Sequence, residues 1–131
     1  MAKGLKKHQE RQGILSLLGK DLARRSKSCC EICEASGVPL KIYEVAPVPE
    51  EPDFDHCLMA CEECWEQLAS PKRVKPDHWR CLNKTIWSTL PGAQVVAIRQ
   101  LRSLSSEYPW AAELLEQAYL EPEVLEWADS C

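Results

Sequence analysis

Four cysteines occur in two C-x-x-C pairs, a spacing typical of metal ligands. Cys30 and Cys33 form the first pair, and Cys61 and Cys64 form the second. The two sulfurs of one C-x-x-C turn converge on a single ion, and two such turns complete a shell of four sulfurs. The spacing therefore predicts a structural zinc site with these four ligands and one zinc ion per chain. The alternative is two unrelated pairs of buried or redox-active cysteines.

The other cysteines and histidines offer fewer ligands. Cys29 lies beside Cys30, but only Cys30 has the two-residue spacing to Cys33, so we expect Cys29 to be a spare thiol. No other part of the sequence shows the spacing expected of more than two metal ligands. We therefore expect His78 to be a surface or capping residue and Cys81 to pack in the core. A second metal site is the alternative, and its candidate ligands are His56, Cys57, His78 and Cys81.

The segment that joins the two cysteine pairs predicts a β-hairpin. Residues 40–45 alternate apolar and polar side chains, and residues 57–60 are suited to the returning strand. Residues 61–69 consist largely of helix formers. A knuckle, a hairpin and a helix with ligands in its first turn form a treble clef. A zinc ribbon, with the second pair on another knuckle, is the alternative.

Helices are predicted on both sides of this zinc module. Residues 5–27 have an apolar stripe at helical spacing, with Gly13 and Gly19 as points where the helix is expected to break. In the C-terminal half, Asp77 is the expected N-cap of a helix that ends before Pro91. Further helices are expected around residues 95–105, 109–119 and 122–128, the last two beginning at prolines. The predicted fold is α+β and mostly α, with about four short C-terminal helices.

Three regions follow from these elements: a basic helical segment at 1–27, a Cys₄ zinc module at 28–70, and a helical segment at 71–131 packed on it. The first region is basic although the chain has a net charge of −4. Such an arm predicts either nucleic-acid binding or, as we favour, a solvated helix facing acidic residues, because it has no aromatic side chains for base stacking. Its cations are Lys3, Lys6, Lys7, Arg11, Lys20, Arg24, Arg25 and Lys27.

No motif for catalysis or membrane insertion is present. The chain has no G-x-S-x-G, P-loop or H-E-x-x-H sequence, and its three histidines are few for a catalytic metal centre. A four-cysteine shell also leaves no open position for a substrate. No run of about 18 apolar residues is long enough to cross a bilayer. We expect a cytoplasmic protein, in which eight cysteines serve as metal ligands and free thiols rather than disulfides.

The order of these motifs resembles a bacterial family. The sequence is similar to the zinc region and the following helices of the PhnA-like (alkylphosphonate-operon-named) proteins at residues 30–33, 42–47, 61–64, 78–83, 87, 95–96, 119–120 and 125–128. The resemblance covers about residues 20–129. Members commonly have Gly where this chain has Glu34. Many also carry a small β-barrel domain after the helical part, which we expect this protein to lack.

The family has no settled activity, so the resemblance implies a structural zinc but no reaction. We expect a non-enzymatic interaction or regulatory module with a protein partner. A nucleic-acid-binding protein that uses the basic N-terminal helix is one alternative. A phosphonate-related enzyme is another, and it would require a polar pocket with a second metal near His56 or His78.

Overall fold

The computed structural model describes the backbone of residues 2–130 and the side chains of residues 8–130. Six α-helices, one two-stranded antiparallel sheet and three short 3₁₀ turns make up this part of the chain, which confirms the α+β, mostly helical class. The helices and strands are α1 Ala2–Ser26, β1 Leu40–Glu44, β2 Cys57–Cys61, α2 Glu62–Ala69, α3 Leu82–Thr85, α4 Pro91–Leu104, α5 Pro109–Gln117 and α6 Pro122–Asp129. The 3₁₀ turns are Phe54–His56, Pro71–Arg73 and His78–Cys81.

Helix α1 is continuous, so the predicted break at Gly13 or Gly19 is wrong. Its apolar stripe packs on the hairpin, where Leu15 and Leu22 are buried together with Cys57. Packing of an amphipathic face supplies most of the stability of a helix in a protein, and here it outweighs the low helix propensity of two glycines. The side chains of Lys3, Lys6 and Lys7 lie outside the described residues.

The predicted hairpin is confirmed. Strands β1 and β2 pair in antiparallel register, with Leu40 opposite Cys61 and Glu44 opposite Cys57. The other edge of β2 is occupied by the first cysteine turn: the Glu31 N–H donates to the Met59 carbonyl at 2.8 Å, and the Met59 N–H donates to Glu31 Oε1 at 2.8 Å. These two bonds satisfy the backbone N–H and C=O of Met59 at this edge of the sheet. They also bring the two cysteine pairs to the same end of the hairpin.

The prediction of a single helix from Asp77 to the residue before Pro91 is wrong. Residues 78–81 form a 3₁₀ turn, Asp77 is itself helical and makes no side-chain cap, and α3 has only four residues. Three large side chains, Trp79, Leu82 and Ile86, are fully buried from this short segment. Their packing favours tight turns over a straight helix.

The last three helices each begin at a proline, as predicted for Pro109 and Pro122. Helix α4 is the most buried and lies against both α5 and α6. One continuous core contains residues from the cysteine turns, such as Cys30 and Cys64, together with Trp79 and Ile98. The division into three regions remains a prediction. No helix in the described part of the chain has the length and apolar character needed to cross a bilayer.

Candidate metal centre

Three elements of the fold bring the four predicted cysteines together. Cys30 and Cys33 lie in the turn after α1, Cys61 is the last residue of β2, and Cys64 is in the first turn of α2. Their four sulfur atoms all lie within 4.8 Å of one another. Cys30, Cys61 and Cys64 are buried, and Cys33 is partly exposed. Among the residues that the structure describes, this is the single group of three or more His, Cys, Asp or Glu side chains close enough to share an ion.

The sulfur spacing fits a tetrahedral metal ion. Zinc–sulfur bonds of about 2.3 Å in a tetrahedron place neighbouring sulfurs about 3.8 Å apart. The Cys30 and Cys64 sulfurs are 3.8 Å apart, and those of Cys33 and Cys61 are 3.5 Å apart. All four are free thiols, since a disulfide needs about 2.05 Å between sulfurs. Four sulfur donors are one of the ligand sets that zinc takes in closed structural sites.

The backbone is shaped around these sulfurs. The amides of Ile32 and Cys33 donate to Cys30 Sγ at 3.4 Å, and the amide of Cys64 donates to Cys61 Sγ at 3.4 Å, so that Cys61 caps α2. After Cys33 the chain turns through Glu34, whose φ is 66°. Amide donors that point at thiolates offset part of the negative charge of a four-cysteine shell.

The thiols do not ionise independently without an ion. Hydrogen bonds from Cys33 and Cys64 lower the pKa of Cys30 far below its ordinary value. Sharing that hydrogen bond raises the pKa of Cys33 to about 12, and it raises the pKa of Cys64 strongly, with burial adding to the increase. Four thiolates this close together repel one another and need a cation among them. Binding of a divalent metal ion therefore releases protons from the cluster.

His78 is the residue that the sequence analysis misplaced. His78 is half-buried rather than exposed, and the N-cap position of its turn is taken by Asp77. Its Nε2 lies 3.1 Å from Cys64 Sγ. Burial lowers the pKa of His78 below its ordinary value. The only signal in the sequence is its position at the start of the His78-Trp79-Arg80-Cys81 block, and that pattern does not reveal which sulfur it approaches.

The other candidate ligands lie outside the cluster. The Cys29 thiol contacts the Lys27 carbonyl at 3.5 Å. Cys57 is buried beneath α1, and burial raises its pKa to about 11. The His56 ring packs on Trp127 with centroids 4.5 Å apart. Cys81 is partly buried against the main core, and burial raises its pKa to about 12.

A buried ion pair joins α1 to the first cysteine turn, and the sequence analysis did not find it. Arg25 binds both carboxylate oxygens of Glu31 at 2.8 Å and also donates to the Cys57 carbonyl at 2.7 Å. The Glu31 side chain is 3% exposed and that of Arg25 is 19% exposed. Because Glu31 lies between two of the clustered cysteines, this pair positions the first turn against β2.

Helix α3 holds the first cysteine turn from the other side. The Thr85 hydroxyl donates to the Ile32 carbonyl, and Thr85 is 5% exposed. The same hydroxyl lies 3.2 Å from the Cys81 carbonyl. The first cysteine turn is thus held by α1, β2 and α3 together.

Part of the basic N-terminal region is neutralised within the chain. Arg11 pairs with Glu44 and donates to the carbonyls of Pro49 and Glu50, while Arg25 pairs with Glu31. These contacts agree with a helix that faces acidic residues of its own chain. Other cations of this region that the structure describes form no ion pair and lie exposed on or just after α1: Lys20, Arg24 and Lys27.

Comparison of the chain with protein-family models, with curated proteins and with solved structures gave no match.

Proposed function

We propose that this chain is a small zinc protein in which Cys30, Cys33, Cys61 and Cys64 hold one structural zinc ion. The observation that carries the proposal is the sulfur spacing of 3.5 and 3.8 Å, close to the edge of a zinc–sulfur tetrahedron. A shell of four protein ligands has no position for water or substrate. The ion therefore holds structure and does not activate a nucleophile.

The arrangement of the elements supports a treble clef over a zinc ribbon. Cys61 caps helix α2 and Cys64 lies in its first turn, as a treble clef requires. The left-handed backbone at Glu34 supports the PhnA-like resemblance, because that conformation explains the glycine common there in the family. A cytoplasmic location belongs to the same proposal, since reducing surroundings keep the thiols available for the metal.

Metal content and stability of two cysteine variants test the proposal. Cys61→Ser removes one ligand of the cluster, and Cys29→Ser removes a thiol outside it. Native mass spectrometry of the purified wild-type protein and of Cys29→Ser should show one zinc per chain, and Cys61→Ser should lose it. A wild-type protein that stays metal-free when refolded with stoichiometric zinc contradicts the proposal. So does a Cys61→Ser variant that binds zinc as tightly as Cys29→Ser.

The role that we propose for this scaffold is to bind another macromolecule rather than to catalyse a reaction. Two large aromatic side chains in the C-terminal half support a protein partner, because Trp87 is 53% exposed and Tyr119 is 77% exposed. A capture experiment that compares wild type with Trp87→Ser and Tyr119→Ser tests these positions. Loss of the same partner in either variant supports the role, and capture that neither variant changes contradicts it.

Nucleic-acid binding is the second candidate, and three exposed cations on or just after α1 favour it: Lys20, Arg24 and Lys27. Replacing these three by Ser should abolish binding to duplex DNA or RNA at low salt, and wild-type affinity should fall steeply as salt rises. Arg25 is left intact, because its buried pair with Glu31 makes it structural. Binding that is undetectable for the wild type at low salt contradicts this candidate.

A further inference from the structure

The contact between His78 and Cys64 is specific to one sulfur of the cluster. His78 Nε2 lies 3.1 Å from Cys64 Sγ, which is within hydrogen-bond distance. Cys64 is fully buried, with 0% exposure. A thiolate at this position has no contact with solvent and needs a donor from the protein.

The backbone does not supply that donor. Cys30 Sγ accepts two amide N–H groups and Cys61 Sγ accepts one, but no amide of the described residues donates to Cys64 Sγ. Apart from the sulfur of Cys30 at 3.8 Å, the hydrogen-bond partner of Cys64 Sγ is the ring of His78. The imidazole thus occupies, at Cys64, the place that backbone amides take at Cys30 and Cys61.

The set of clustered ligand atoms distinguishes a hydrogen-bond donor from a further ligand. Four sulfurs already fill the shell of a tetrahedral zinc ion. The ligand atoms that all lie within 4.8 Å of one another are the four cysteine sulfurs, and His78 is not among them. The 3.1 Å contact of its Nε2 is with one sulfur of that shell.

Buried contacts from α2 hold the His78 segment in place. Gln67 is 4% exposed, and its Oε1 accepts both the Lys75 amide and Trp79 Nε1 at 2.8 Å. The His78 amide in turn donates to the Lys75 carbonyl at 3.0 Å. Gln67 and Cys64 are three residues apart on α2 and share a face of it. The same helix therefore carries the ligand and fixes the turn that covers it.

We propose that His78 is a positioning residue of the metal centre: its Nε2–H donates to the Cys64 thiolate and joins the turn at 78–81 to the bound ion. The inference rests on the proposed zinc site and deepens it. Partners that donate to ligand atoms restrict their orientation, and losing one lowers metal affinity about 10–100-fold. His78 thereby makes zinc binding depend on the C-terminal half of the chain.

Zinc affinity of two variants, measured in competition with a chromophoric chelator, tests the proposal. His78→Phe keeps a flat ring without any nitrogen and should weaken zinc binding about 10–100-fold. His78→Gln can place an amide N–H near the position of Nε2 and should recover most of that loss. Wild-type affinity in His78→Phe contradicts the inference and leaves the zinc site intact. A wild-type protein without zinc affinity contradicts the proposed site itself.

Cobalt substitution separates a donor from a ligand. In Co²⁺-loaded His78→Phe the sulfur-to-metal charge-transfer band should shift to lower energy, because a thiolate without its hydrogen bond gives up charge more readily. The ligand-field bands should keep the pattern of four sulfurs. An unchanged charge-transfer band contradicts the proposed hydrogen bond. A change in the ligand-field bands contradicts it too, since it would make His78 a ligand.

A measurement on the unmodified protein covers the case in which His78→Phe does not fold. With ¹⁵N-labelled histidine and ¹¹³Cd in place of zinc, the His78 ring should carry its proton on Nε2, and that proton should show coupling to cadmium through Cys64. A proton on Nδ1 alone contradicts the inference.

Discussion

Glu34, directly after the first cysteine pair, has a backbone conformation that residues other than glycine rarely adopt. Its φ of 66° lies in the left-handed region, where a Cβ costs about 1–2 kcal/mol and glycine has no such penalty. The side chain has one ion pair, 3.3 Å from Lys84, with both groups largely exposed. An exposed pair contributes about 0.2–1 kcal/mol, so it does not offset the strain.

Replacing Glu34 by Gly should therefore relieve the backbone strain. We expect the free energy of unfolding of the zinc-loaded Glu34→Gly variant to exceed that of Glu34→Ala by roughly 0.5–1 kcal/mol, since glycine relieves the strain but has a more flexible unfolded chain. Glu34→Ala is the matched control, because it removes the same ion pair and keeps the Cβ. Urea unfolding curves of both variants give the comparison. If Glu34→Gly is no more stable than Glu34→Ala, the left-handed assignment is wrong.

At the residue scale the sequence predicted which four cysteines come together, because C-x-x-C spacing is a local property of a turn. It did not predict the partners of those cysteines. His78 approaches Cys64 through a loop that Gln67 holds by a hydrogen bond to the Lys75 amide, and that contact depends on the fold. Glu31 looked like an arbitrary residue within a C-x-x-C motif, yet it carries the buried pair with Arg25.

At the scale of elements, the pair between Arg25 and Glu31 connects α1 to the first cysteine turn. Arg25 also donates to the Cys57 carbonyl, and Glu31 accepts the Met59 amide, so one carboxylate and one guanidinium bind three elements. A buried charge that loses its partner is strongly destabilising, which makes this pair sensitive to single substitutions.

Arg25→Met should lower the free energy of unfolding by about 3 kcal/mol and also weaken zinc binding, because Glu31 would remain as an unpaired buried carboxylate. Glu31→Gln should have a comparable effect. The double variant should lose less than the sum of the two, as expected for residues in direct contact. Denaturant unfolding measures all three.

A surface pair provides the control for this cycle. Arg102 and Asp129 also form an ion pair, but their side chains are 44% and 61% exposed. Arg102→Met should change the free energy of unfolding by less than about 1 kcal/mol. Effects of equal size at Arg25 and Arg102 would contradict the positioning role of the buried pair.

The elements differ in how far the sequence determined them. Alternation predicted β1, and a proline at the first helical position predicted α5 and α6, because both are local signals. Two predictions failed where tertiary packing decided the outcome. Burial of Leu15 and Leu22 keeps α1 helical through its two glycines. The segment before α3 forms a 3₁₀ turn in which Trp79 is buried.

At the scale of the whole molecule, the cysteine turns and the C-terminal helices share one core. The two parts nevertheless differ in the interactions that stabilise them. Residues 28–70 have one short hairpin and one short helix, whereas α4 is packed between α5 and α6 by apolar contacts. Structural zinc contributes on the order of 10 kcal/mol in small modules, enough to decide whether the hairpin folds.

Chelation should therefore disorder the hairpin and leave part of the helical structure. We expect the dispersed amide signals of Leu40–Glu44 to collapse on removal of the metal, while appreciable helical circular dichroism remains. Returning one equivalent of zinc should restore the signals. Hairpin signals that persist after chelation contradict this prediction, and complete loss of helix shows that both halves fold as one unit.

The zinc K-edge X-ray absorption fine structure of the purified wild-type protein tests the central claim most directly, because it reports the atoms that surround the ion. A site made of Cys30, Cys33, Cys61 and Cys64 predicts a single shell of four sulfurs at about 2.3 Å, without the multiple-scattering pattern of an imidazole. A shell of three sulfurs and one nitrogen would contradict the four-cysteine site and make His78 a ligand. A zinc–zinc distance in the data would contradict the single ion.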